Sequence, residues 1–104
     1  MRYRSKDFLI DGFKTKMLAK KYATPLYCYS LNKIKGNVEK FKEDFKIINP
    51  LICFAVKANP NITILREIGK LGLGADVVSI GELMKSLKSF CLLYTSPSPR
   101  DGLL

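Results

Sequence analysis

The segment Phe54-Ala55-Val56-Lys57-Ala58-Asn59 sets a lysine directly after an apolar run, Leu51 to Val56, and before a loop, Asn59-Pro60-Asn61, that opens a helix. In parallel α/β folds the carboxyl ends of the strands are where ligands bind. A lysine placed there has a chemical use. Partly removed from water, its ammonium is disfavoured, and the neutral amine becomes available to form a Schiff base with an aldehyde. Strand alternation points Cys53, Ala55 and Lys57 to one face, where the small Ala55 leaves room for a flat ring beside the amine. The plainer alternative is a lysine that snorkels at a strand end, the commoner fate of this residue type, and position alone does not separate the two.

A second constellation follows one βα unit later, in Gly72-Leu73-Gly74-Ala75-Asp76-Val77-Val78-Ser79 and then Gly81-Glu82-Leu83. If both segments end strands of one parallel sheet, their polar ends lie side by side. Neighbouring strands are ~4.8 Å apart, so Asp76 or Ser79 could reach groups held by Lys57. Each residue also has an ordinary structural role available. Asp76 suits a turn or cap, and Glu82 is a first-turn carboxylate that favours a helix N-terminus.

The elements that must position these residues follow from periodicity. Met1 to Asp7 passes into charged, helix-like sequence without a long apolar core. Phe8-Leu9-Ile10 reads as a short strand closed by an Asp11-Gly12 turn, and a short helix follows over about Lys14 to Tyr22. Thr24-Pro25 breaks that helix, and Leu26-Tyr27-Cys28-Tyr29 is expected to be a strand. Ser30 then caps a helix whose apolar stripe is Leu31, Ile34, Val38, Phe41 and Phe45. Leu51 to Val56 is expected to be a parallel strand buried on both faces. Ile62, Leu65, Ile68 and Leu71 mark another helix, ended by Gly72 and Gly74. Ala75 to Ser79 is the next strand, and Gly81 to Ser89 the next helix. Alternation of this kind predicts βαβ units, a parallel sheet and the α/β class. From Phe90 the periodicity stops and nothing is expected to continue the fold. The run Leu93 to Asp101 resembles translated sequencing-adapter sequence, so residues 90–104 are expected to be a non-native tail, with a natural linker as the alternative.

Composition narrows the function classes. With 104 residues the chain is too short for the ~250 of a complete eight-stranded β/α barrel. A hydrophobic share of 47% and a charged share of 26% suit a globular protein, and the longest apolar runs are only a few residues. No membrane span and no leader is expected, which places the protein in the cytoplasm by default. Cys28, Cys53 and Cys91 form an odd set without CxxC spacing and without histidine, so neither disulfides nor a metal site is expected, and Cys28 and Cys53 read as small buried hydrophobes. The net charge of +9 raises nucleic-acid binding as a rival function. However, Lys33, Lys35, Lys40, Lys42 and Lys46 are dispersed along one helix as a solvated face would be, and no nucleic-acid motif accompanies them.

Three blocks taken together, Ala23 to Ser30, Phe54 to Asn59 and Gly74 to Leu83, resemble successive signatures of the diaminopimelate decarboxylases, a family of pyridoxal-phosphate-dependent enzymes. They occur in order, at suitable spacing, and cover nearly everything before Phe90. The resemblance implies an alanine-racemase-like architecture, in which a TIM-like β/α barrel binds pyridoxal 5'-phosphate and a second β-domain completes the site. It implies that residues 1–30 are associated with that second domain, and that residues 31–89 form the first βα units of an incomplete barrel. Lys57 would be the internal-aldimine lysine, Ala55 would pack beside the cofactor, and Asp76 and Ser79 would line its neighbourhood. Glu82 would support the site, and Ile80 departs from the glycine often found at its position. The implied reaction converts meso-diaminopimelate, a small amino acid, to L-lysine and carbon dioxide in a homodimeric full-length enzyme. The fragment alone would be inactive. The alternatives are a related decarboxylase acting on ornithine, arginine or carboxynorspermidine, and a non-enzymatic pyridoxal-phosphate-binding protein.

Overall fold

A computed structural model of the chain describes residues 1–89 and the backbone of 92–95. The chain divides into two compact units, with the boundary between Asn37 and Val38.

In the first unit, strands β1 (Arg2–Arg4), β2 (Asp7–Ile10) and β3 (Phe13–Lys14) form an antiparallel meander that leads into helix α1 (Thr15–Tyr22). Ser5, at φ 56°, turns the chain so that Tyr3 and Phe8 pair across the two strands with ring centroids 4.9 Å apart. The Asp11-Gly12 turn forms as expected, both residues having positive φ, which matches the twist of a two-residue hairpin. The Asp11 carboxylate accepts from the Ser30 hydroxyl at 2.5 Å, and Ser30 Oγ in turn accepts from Lys33 N–H at 3.0 Å. Ser30 is thus the N-cap of helix α2 (Leu31–Asp44). Leu26 to Tyr29, expected to be a strand, has no strand partner among the described residues, and Tyr27 is 87% exposed. An apolar run supplies side chains for a strand, but only a neighbouring backbone makes it one. Cys28 is accordingly half-buried, not enclosed.

The second unit carries the α/β pattern. Strand β4 (Cys53–Ala55), helix α3 (Ile62–Lys70), strand β5 (Gly74–Val77), helix α4 (Ile80–Lys88) and strand β6 (Leu92–Thr95) alternate, and the three strands are parallel in the order β4-β5-β6. Asn61 caps α3 by accepting from Thr63 N–H at 2.9 Å and Ile64 N–H at 3.3 Å. The same helix closes in a Schellman motif. Gly72, at φ 82°, donates to Gly69 O, and Leu73 N–H reaches back to Ile68 O. Val56, Leu65, Ala75 and Val77 form the core, with Phe54 and Leu83 packed against it. Three details differ from expectation. The strand expected over Leu51 to Val56 is shorter and only half-buried, because among the described residues β4 is an edge strand with helices on one face. Gly74 belongs to β5 and donates to Ile52 O at 2.9 Å, so it begins a strand and does not turn the chain. Finally, Leu92–Thr95 pairs with β5 as β6, so the fold continues past Phe90. The rest of the expected tail, 96–104, and residues 90 and 91 lie outside the described residues.

Candidate functional site

Which side chains share a face follows from the core. Phe54, Ala75 and Val77 pack toward Leu65 of α3 and Leu83 of α4. By alternation Cys53, Ala55 and Asp76 therefore lie on the opposite face of the sheet, away from α3 and α4. Ala55 and Asp76 are register partners across β4 and β5. The two strands end together, and their carboxyl ends form one rim.

Lys57 sits on that rim, but not on the strand. Val56–Ala58 is a single 3-10 turn, closed by Asn59 N–H donating to Val56 O at 3.1 Å. The alternation that places Cys53 and Ala55 on one face therefore stops before Lys57. A fully buried Val56 anchors the turn, while Lys57 itself is exposed and makes no hydrogen bond or ion pair with the described residues. Its expected partial removal from water is not supplied by these elements.

Asp76 is half-buried, and its Oδ1 is shut off from solvent without a hydrogen-bond partner among the described residues. Buried carboxylate oxygens are ordinarily paired, so an orphan on this face is suited to accept from a group brought to it. Cys53 lies one strand away, and its thiol is pushed up from the ordinary value of 9.0, first by burial and then by the Asp76 charge. Sequence reasoning took Cys53 for a core hydrophobe. Alternation had nonetheless set it on the face of Ala55, and that part of the expectation holds.

Ser79 is exposed and is the N-cap of α4, where its Oγ accepts from Glu82 N–H at 3.2 Å. Glu82 Oε2 accepts from Val78 N–H at 2.8 Å. The pair forms a reciprocal cap, whose sequence signal is Ser-x-x-Glu, and it accounts for Glu82 more fully than a favourable first-turn charge does. The structure thus brings Ala55, Lys57 and Asp76 to one rim, with Ser79 at the start of the adjoining helix.

Small Ala55, orphaned Asp76 Oδ1 and an amine on the same rim suit a flat aldehyde cofactor with hydrogen-bond donors, and the comparisons point the same way. Residues 31–92 match the model of the pyridoxal-dependent decarboxylase family, pyridoxal binding domain. A diaminopimelate decarboxylase of Aquifex aeolicus is 44% identical over 89 residues, covering 86% of this chain and 21% of the relative. One from Helicobacter pylori is 47% identical over 77 residues, covering 74% of this chain and 19% of the relative. A crystal structure from Aquifex aeolicus superposes with a TM-score of 0.86 at 39% identity, covering 93% of this chain and 25% of that one. A diaminopimelate decarboxylase from Methanocaldococcus jannaschii, solved in complex with L-lysine, gives 0.82 at 35% identity, covering 96% of this chain and 26% of that one. The chain therefore spans about a fifth of the length of its relatives. It belongs to the pyridoxal-dependent decarboxylases, and what it contains is the opening part of their pyridoxal-binding barrel.

Proposed function

We propose that these residues serve a pyridoxal 5'-phosphate-dependent decarboxylase that converts meso-diaminopimelate to L-lysine and carbon dioxide. The observation that carries the proposal is the shared rim: Lys57 follows Ala55 at the end of β4, and Asp76 stands across from Ala55 with a buried oxygen that has no partner among the described residues. The bound cofactor supplies an electron sink for the carbon that loses carbon dioxide. Lys57 Nζ would hold the cofactor covalently and be released when a substrate amine takes its place. Ala55 would leave space for the ring, and Asp76 Oδ1 would accept an N–H from the amine that occupies the site. Ser79 would close the rim from the start of α4.

The names of the relatives and the L-lysine complex of one of them support the choice of substrate. In the complete enzyme, residues 1–30 would accompany a second β-domain, and residues 31–89 would begin the barrel. The enzyme would work in the cytoplasm as a homodimer on a small-molecule amino acid, without nucleic acid or membrane as partner. Among the described residues no helix is long and apolar enough to cross a membrane.

The test uses a full-length protein carrying these residues. Purified protein is expected to show the visible absorbance of covalently held cofactor, and Lys57→Ala is expected to lose it. Labelled carbon dioxide is expected from meso-diaminopimelate and not from ornithine or arginine. Persistence of the band in Lys57→Ala would move the cofactor lysine elsewhere, and release from ornithine in preference to diaminopimelate would overturn the substrate.

A further inference from the structure

We infer that Glu82 is a positioning residue for the cofactor site, acting through the backbone of Val78. The inference rests on the function proposed above and goes one step beyond it. Glu82 Oε2 accepts from Val78 N–H at 2.8 Å, while Glu82 N–H donates to Ser79 Oγ at 3.2 Å. In the usual reciprocal cap the glutamate reaches back to the N-cap residue's own N–H. Here the carboxylate reaches one residue further, past Ser79 to Val78, the first residue after β5. The two bonds therefore brace the end of a strand to the start of a helix, and do more than cap the helix.

What the brace holds is the rim. Asp76, with its orphaned buried oxygen, lies two residues before the tied N–H, and Ser79 lies one residue after it. Both bonds are exposed, so water can take up Val78 N–H and Glu82 N–H if the carboxylate is lost. Overall stability then changes little. Orientation is a different matter, because a freed Val78 lets the end of β5 and the first turn of α4 move independently, and a site depends on its groups being held in place. Glu82 needs its oxygen for this task, not its charge.

The experiment measures pyridoxal 5'-phosphate affinity in the full-length protein by titrating the visible absorbance, with thermal unfolding of the cofactor-free form as the control. Glu82→Ala is expected to weaken cofactor binding roughly tenfold or more, with only a small fall in melting temperature. Glu82→Gln keeps an oxygen that can accept from Val78 N–H and is expected to restore most of the affinity. Val78→Pro removes the donor and is expected to match Glu82→Ala, with the double variant no worse than either single one. Unchanged affinity in Glu82→Ala would reduce the residue to a helix cap. A Glu82→Gln variant as weak as Glu82→Ala would show that the charge acts on the ligand directly, and additive losses in the double variant would break the link to Val78. Each of these results sinks the inference alone. If the unaltered protein takes up no cofactor, the proposed function falls and the inference falls with it.

Discussion

Cys53 and Asp76 show how one face of a sheet sets the behaviour of single groups. The thiol is pushed up from 9.0 by burial first and by the neighbouring carboxylate second. The folded chain therefore holds this proton more tightly than the unfolded chain does. The associated stabilisation is full below the ordinary thiol value and is lost as pH rises through the folded one. Reactivity follows the same order, since the thiolate is the nucleophile. In cofactor-free, folded protein, alkylation of Cys53 is expected to reach half its limiting rate at a higher pH than a free thiol does. Asp76→Asn is expected to lower that midpoint while leaving it above the free-thiol value, because burial remains. A midpoint unmoved by Asp76→Asn, followed by mass spectrometry of the Cys53 peptide, would show that the two groups do not sense each other.

At the level of elements, the Schellman closure of α3 is the feature most exposed to a single change. Gly72 sits at φ 82°, where a side chain is strained whatever the space around it, although an added Cβ would meet nothing closer than Lys42 Nζ at 3.8 Å. Gly72→Ala is expected to destabilise the fold by about 1 kcal/mol, and Gly72→Asn by less, as read by denaturant midpoints. Equal midpoints for the glycine and alanine forms would mean that the turn relaxes. This glycine was legible in the sequence because α3 has a strong apolar stripe, an Asn61 cap and a stop signal that agree with one another. The Ser79 and Glu82 cap is missed, because Ser79 is counted into the strand expected over Ala75 to Ser79, whereas β5 ends at Val77 and Ser79 caps α4. Leu26 to Tyr29 and Leu51 to Val56 were read less well, since the extent of a strand is set by its neighbours and, among the described strands, only β5 pairs with β4. The 3-10 turn at Val56–Ala58 was missed because nothing in an apolar run announces where extended backbone ends. Lys57 follows the carboxyl end of β4 as expected, but in a 3-10 turn and not on the strand. The face shared by Ala55 and Asp76 was recoverable, because alternation holds as long as the strand does.

For the whole molecule, the decisive quantity is how much of a barrel is present. Within the second unit, three parallel strands with α3 and α4 on one face supply no second wall from the described residues for the opposite face, which carries Ala55 and Asp76. Lys57 is exposed on the rim, and the groups that would enclose it in water-free surroundings would come from further βα units. Catalysis by a bound cofactor depends on its being oriented and on water being kept out. An open rim provides neither. The 104-residue chain by itself is therefore expected to release no labelled carbon dioxide from meso-diaminopimelate, even with excess pyridoxal 5'-phosphate. The outer edges of β4 and β6 pair with no other described strand, and unpaired edges invite association. The isolated chain is accordingly expected to elute from a sizing column as oligomers whose size grows with concentration. Release of carbon dioxide above the cofactor-only blank would mean that the rim works without its walls, and that the lysine, alanine and aspartate described here make up more of the active centre than a barrel enzyme should allow.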